Sequence, residues 1–206
     1  MNQPMNYSQG KKNMSRFNPV QRTSSHRLIN HGPTILITTR SKDGRYRNVM
    51  TAAWSTPVEM DPPRLVVLIN KEAYTRELLL DSGVFAVCVP SVSFINETYS
   101  IGHSTGRETD KFSKFNIETT QSPELGIPVI EKGCIAWLEC KLIPEPHAQE
   151  KYDTFFGEVV SASADPEVFI NNHWHFTDQN KDRHSIHHLG GGNFFRCNDL
   201  MVAKEL

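Results

Sequence analysis

The residues with the most chemistry to offer fall into two competing sets. Gly102-His103-Ser104-Thr105-Gly106 fits the nucleophile-elbow pattern GxSxG, and Asp165 and His187 follow in the chain order of an α/β-hydrolase triad. That motif needs an apolar strand before the serine and a packable helix after it. Here Asn96 to Ser100 is polar, and Arg107 to Lys111 lacks small and apolar residues. A serine hydrolase acting through Ser104 is therefore the secondary reading. The late histidines (His173, His175, His184, His187, His188) include a His-Trp-His spacing that can put two rings on one strand face. No carboxylate or cysteine accompanies them at ligand spacing, so no metal is expected. GxxxxGK[ST], GxGxxG and HExxH are all missing.

The second set is spread over three segments. Asn48-Val49-Met50-Thr51-Ala52-Ala53-Trp54 is strand-like, with small residues that let a flat ligand lie against the backbone. Lys71-Glu72-Ala73-Tyr74-Thr75 leads into a helix N-terminus, where free N–H groups favour an anion. Ser104-Thr105-Gly106-Arg107-Glu108-Thr109-Asp110-Lys111-Phe112 adds hydroxyls, a glycine and cations. A planar aromatic body with a phosphate tail satisfies all three at once. Taken singly, each has a plainer explanation: Trp54 in a core, Thr75 as a helix cap, Lys111 in solvent.

The elements that must position these residues are mostly strands. Thr34 to Thr39 is β-branched and apolar, and the Asp43-Gly44 turn leads to a partner strand over Tyr46 to Trp54. Asp61-Pro62-Pro63 breaks the chain before a strand at Leu65 to Ile69. A helix over Thr75 to Ser82 is capped by Thr75 and ended by Gly83. Strands follow at Val84 to Val89, Cys134 to Leu142 and Phe155 to Ala162. In the second of these, Trp137 faces away from Leu138, Cys140 and Leu142; an outward tryptophan commonly marks a contact surface, the alternative being cover by a helix of its own chain. Short strands without βαβ alternation imply a mainly β protein, a barrel with peripheral helices.

Composition narrows the function classes. The 206 residues carry 22 basic and 23 acidic side chains, a net charge of -1, which gives no reason to expect nucleic-acid or membrane partners. The longest apolar run, Val84 to Val89, is far short of a membrane span. With no charged-then-apolar leader at the start, the expected location is the cytoplasm, and the four scattered cysteines read as buried thiols rather than a disulfide framework. Residues 1–27 hold five basic residues and no acid, and read as a polar, flexible N-terminal arm; residues 28–206 form one domain.

The NVMTAAW stretch and the HSTGRETDKF loop, in this order and at this interval, resemble the flavin reductase-like family, which includes flavoredoxins and FMN-binding split barrels. The resemblance runs from about Leu28 to the end and is strongest from Asn48 to Phe115. It implies an FMN-binding split β-barrel that forms a homodimer, with the flavin near the interface. It places Asn48, Met50, Thr51, Ala52 and Trp54 along the isoalloxazine and ribityl chain. Lys71, Tyr74 and Thr75 fall at the phosphate, and Lys111 is a second flavin contact. Ser104, Gly106 and Arg107 are further cofactor-binding positions, and His187 and His188 lie near the ring. The implied activity is an NAD(P)H-dependent flavin reductase passing a hydride through flavin N5, with NADH or NADPH as donor and a small molecule or protein as acceptor. A flavoredoxin-type electron-transfer flavoprotein is the alternative within the family, and a flavin-free binding module the alternative outside it. No dedicated catalytic side chain is implied, because the cofactor carries the chemistry.

Overall fold

The computed structural model describes residues 32–197 and the isolated positions Gln21, Leu28 and Met201. Apart from Gln21, the basic arm lies outside the described residues. The chain opens with strands β1 (Ile35–Arg40), β2 (Arg47–Ala52), β3 (Ser55–Met60) and β4 (Pro63–Leu68), then helix α1 (Tyr74–Ser82) and β5 (Val84–Pro90). Helices α2 (Ile95–Gly102) and α3 (Lys111–Lys114) follow, with the small pair β6 (Thr120–Gln121) and β7 (Pro128–Val129). The two longest strands, β8 (Cys134–Ile143) and β9 (Thr154–Ala164), flank α4 (Pro146–Tyr152). Two hairpins complete the described chain: β10 (Phe169–Ile170) with β11 (His173–Trp174), and β12 (Ile186–Gly190) with β13 (Asn193–Arg196).

Seven strands form one antiparallel sheet in the order β2-β1-β5-β8-β9-β4-β3. Laid flat at about 4.8 Å per strand, its edges would stand about 29 Å apart. Yet the two edge strands, β2 and β3, are joined only by Ala53-Trp54, a link that reaches about 11 Å. The sheet therefore has to curl until its edges nearly meet. They come together without pairing, which makes the fold a split barrel with a seam between β2 and β3.

Both faces of the central strands are buried, so these strands read as unbroken apolar runs. On β1, Ile35 and Ile37 join a core with Val67, Phe85, Leu79 and Phe155, while Leu36 joins a second core on the opposite face. That second core takes Ile101 from α2 and Phe112 from α3, which cover the outer face beside β2. Trp137 does point away from the first core, but it packs half-buried against the second core of its own chain. That intrachain packing accounts for its outward direction without a partner subunit.

The β1–β2 hairpin, the break at Asp61-Pro62-Pro63 and the strands at β4, β5, β8 and β9 fall where the sequence places them, with ends differing by one or two residues. The helix start differs more. The residue preceding α1 is Ala73, which offers no side-chain cap, and Thr75 lies inside the first turn. Gly83 ends the helix as expected, in the left-handed conformation with φ 71°.

Candidate functional site

Strand β2 is an edge of the sheet, so its outward side lacks a strand partner and is finished by side chains and helices. Thr51 Oγ1 donates to the carbonyl of Thr98 in α2 at 2.6 Å. The Lys111 ammonium, at the start of α3, donates to Val49 O of β2 at 2.9 Å and to Ile101 O at the end of α2 at 3.0 Å. Lys111 is only 5% exposed, and burial lowers its pKa from 10.5 to about 8. Asp110 caps α3 by accepting from Phe112 N, which aims Lys111 inward while Phe112 enters the core.

Asn48, also on β2, is buried and donates from Nδ2 to Thr75 Oγ1 at 2.9 Å. Its amide leaves no room opposite: a Cβ built on Gly106 would lie 2.1 Å from Asn48 Oδ1. Gly106 is therefore required for a close approach between the α2–α3 loop and β2. These contacts close one end of a cleft of about 310 Å³ lined by Asn48, Thr51, Tyr74, Thr75, Ser104, Gly106 and Lys111, among others. The N-terminus of α1 opens into it; Arg76 N is already bonded to Ala73 O at 3.0 Å, and the α1 amides ahead of it are those that a helix start leaves without an acceptor one turn back. This end is built for an anionic or strongly hydrogen-bonding group.

A second cleft of about 380 Å³ continues from the first, sharing Met50, Thr51 and Asn70. It runs along the seam past Ala52, Ala53 and Trp54 to Leu68, Tyr152, Asp153 and His188. The Trp54 carbonyl accepts from Leu68 N at 3.1 Å, which pins the seam link to β4. Arg76 fixes the far wall: buried inside α1, it donates to Asp153 Oδ1 at 2.5 Å and to the carbonyls of Gln149 and Ile69. Burial lowers the pKa of His188, with the charge of nearby His103 acting in the same direction.

The structure thus gathers Asn48, Met50, Thr51, Ala52, Trp54, Tyr74, Thr75, Ser104, Gly106, Lys111 and His188 around one continuous slot. Three expected residues stand apart. Lys71 is exposed and lines neither cleft. Arg107 is held on the surface, paired with Glu77 and lying 5.5 Å over the Tyr74 ring. His187 is turned the other way, because neighbouring residues on β12 face opposite sides; its ring stacks on Phe195 instead. Lys111, placed either on the ligand or in solvent by sequence reasoning, is chiefly a clamp between β2 and α2. Asn70, Tyr152 and Asp153 were missed. Asn70 adjoins a segment already singled out, whereas Tyr152 and Asp153 arrive through β4–β9 pairing and carry no local signal.

The hydrolase constellation does not assemble. Ser104 follows helix α2 rather than a strand, and its hydroxyl donates to Ser100 O. Asp165 takes Arg183, and His187 faces Ser185 and Cys197. The His-Trp-His spacing fails as a shared face because β11 ends at Trp174, and His173 Nδ1 sits 2.7 Å from Asn171 O.

A curled antiparallel sheet with a two-chambered cleft at its seam defines a split-barrel binding protein. The chain belongs to the flavin reductase-like family, whose "Flavin reductase like domain" matches residues 27–181. It is 46% identical to the uncharacterized protein YddH of Escherichia coli K12 over 190 residues, covering 92% of this chain and all of that one. It is 28% identical to a ferric-chelate reductase (NAD(P)H) of Archaeoglobus fulgidus over 142 residues, covering 68% of this chain and 79% of that one. Among solved structures, an FMN-binding domain of a flavin reductases-like enzyme from Shewanella baltica OS155 superposes with a TM-score of 0.80 at 37% identity, covering 90% and 96% of the two chains. Flavoredoxin of Desulfovibrio vulgaris shares the fold with a TM-score of 0.72 at 20% identity, covering 84% and 90%. Among the described residues, no helix is long and apolar enough to cross a membrane.

Proposed function

We propose that this protein binds FMN in the seam cleft and acts as an NAD(P)H-dependent flavin reductase. The observation that carries this reading is one continuous slot, with a helix N-terminus and hydroxyls at one end and small residues beside an indole at the other. Those two ends fit a phosphate and a flat ring respectively, and the fit is tight where Gly106 admits Asn48. The FMN-binding description of the Shewanella baltica protein and the reductase name of the Archaeoglobus fulgidus protein support it.

When bound, FMN supplies a hydride acceptor at N5 and returns electrons to an acceptor. The chain's part is to hold and orient it. The α1 N-terminus and the Thr105 hydroxyl, which accepts from Arg107 N and keeps its own hydrogen to donate, would hold the phosphate; Lys111 fixes the spacing between β2 and α2 and would add positive charge near it. Backbone at Met50 to Ala53 would support the ring, and Trp54, Tyr152 and His188 would border its open side. A nicotinamide could then be held by stacking, without a dinucleotide fold.

We further propose a homodimer that covers the ring end. Trp54 is 45% exposed and Tyr152 61% exposed at the cleft mouth. The edge strand β3 is exposed along most of its length, beside an apolar hollow of about 840 Å³. An open edge and an apolar hollow are both relieved by a partner surface. Sedimentation of the FMN-loaded protein is expected to give twice the 23.4 kDa chain mass; a monomer that retains FMN at low protein concentration excludes the shared site.

Titration with FMN and riboflavin tests the cofactor reading. FMN is expected to bind at least tenfold more tightly, about 1.4 kcal/mol; equal affinities remove the phosphate role of the α1 end. Anaerobic mixing of the FMN-loaded protein with NADH or NADPH is expected to bleach the flavin absorbance. Bleaching by neither donor favours the flavoredoxin-type carrier, and absence of flavin binding favours the binding module.

A further inference from the structure

The β12–β13 hairpin has two faces, and only one belongs to the cleft. His188 lines the slot; on the opposite face His187 meets a thiol. His187 Nε2 lies 3.2 Å from Cys197 Sγ and 3.3 Å from Ser185 Oγ, and the Ser185 hydroxyl donates toward the same sulfur at 3.5 Å. The group is held in place from three sides. Phe195 stacks on the His187 ring, with centroids 4.6 Å apart and planes 11° apart. His184 Nδ1 donates to the Cys197 carbonyl, and Cys197 N donates to Ser185 O at 3.4 Å. These residues lie beyond the 27–181 span that matches the family.

The four cysteines are not equivalent. Cys88 and Cys140 are fully buried, and burial pushes the Cys140 thiol up to about 12. Cys134 is half-buried rather than buried, but its thiol is raised well above its ordinary value by burial and by its contact with Cys88, whose own thiol that contact lowers inside the core. Cys197 is half-buried, with an imidazole able to take its proton and a hydroxyl directed at its sulfur. A base within hydrogen-bond reach and partial access to solvent are the two conditions that make a thiol nucleophilic.

We propose that Cys197 is a reactive thiol, with His187 as its proton acceptor, whose substrate is a peroxide. The sulfur attacks one peroxide oxygen and the O–O bond breaks. Cys197 becomes a sulfenic acid, oxidised by two electrons, and the departing oxygen takes the thiol proton from His187 and leaves as water or an alcohol. The proposal is independent of FMN binding.

The full-length protein is treated with one equivalent of hydrogen peroxide and then dimedone, and its peptides are weighed by mass spectrometry. Cys197 is expected to carry the label at least tenfold above Cys88, Cys134 and Cys140. His187→Ala is expected to slow labelling about tenfold at pH 7, with added imidazole restoring part of the rate. Labelling of Cys197 at the level of the other three cysteines, or a rate unaffected in folded His187→Ala, overturns the proposal. Should that variant fail to fold, His187→Asn, which keeps a polar side chain but cannot accept the thiol proton, takes its place, and a labelling rate equal to wild type in that folded variant refutes the pairing. Cys197→Ser is expected to keep its FMN affinity, which separates failure here from failure of the cofactor reading.

Discussion

The two ends of the seam cleft are made differently. At the Asn48 end every wall is tied to another: Asn48 to Thr75, Thr51 to Thr98, and Lys111 to both β2 and α2. At the Trp54 end, Trp54 and Tyr152 stand largely exposed, and the far wall is set indirectly, by Arg76 holding Asp153. A site preorganised at one end and open at the other fixes a ligand's tail while leaving its ring approachable. That suits a cofactor that must stay in place and still meet a second reactant. It also means that damage at the closed end reaches both fold and binding, whereas truncating the exposed rings at the open end is expected to reach mainly binding.

The largest expected effect breaks the closed end sterically. Gly106→Val sets a side chain against Asn48 Oδ1, where even a Cβ would stand at 2.1 Å. Either the loop or β2 must move, and FMN affinity is expected to fall more than a hundredfold, about 2.7 kcal/mol or more. Fluorescence titration measures it, and affinity within threefold of wild type shows that this approach is not part of the site.

Lys111→Met keeps the aliphatic volume but leaves Val49 O and Ile101 O without their donor. A destabilisation of about 1–3 kcal/mol is expected in urea, together with weaker FMN binding. The pH dependence sharpens this. The folded pKa of about 8 lies below the ordinary 10.5, so between these values the unfolded chain binds more protons than the native one. The Lys111 contribution therefore makes stability rise with pH across that window. Attraction for the phosphate runs the opposite way, falling as Lys111 loses its charge above about pH 8. Both trends are expected to vanish in Lys111→Met; if they persist, other groups cause them.

Trp54→Ala tests the open end. Loss of an aromatic contact is expected to weaken FMN by about 0.5–1.5 kcal/mol while leaving the melting temperature within a degree or two. A large loss of stability would instead make Trp54 a structural residue. The smallest effect belongs to Lys71→Ala: the side chain is exposed and outside both chambers, so affinity and stability are expected to stay within about 0.5 kcal/mol. A tenfold loss of affinity would restore it to the phosphate site.

Much of the fold is legible in the sequence because its causes are local. Apolar runs from Thr34 and Val84, the Asp43-Gly44 turn, the break at Asp61-Pro62-Pro63 and the stop at Gly83 act within a few residues, and each appears where local rules put it. The site is legible in part, since Asn48 to Trp54 and Ser104 to Lys111 stand out by residue type. The function of Lys111 is not, because residue type names an ammonium without saying which carbonyls lie in reach.

The sequence alone determined that strands dominate, where they turn, and which three segments hold residues suited to a phosphate and a flat ring. Tertiary structure decided what those residues face. Closing a seven-stranded sheet through the two-residue link Ala53-Trp54 created the seam, and leaving β2 as an edge gave the Lys111 ammonium a free carbonyl to bind. The pairing of β4 with β9 brought Tyr152 and Asp153 to the cleft, and the pleat of β12 sent His188 in and His187 to Cys197. Periodicity and capping are set by neighbours along the chain. Burial, edges and facing partners are set by residues tens of positions away, and these exist only once the sheet has curled.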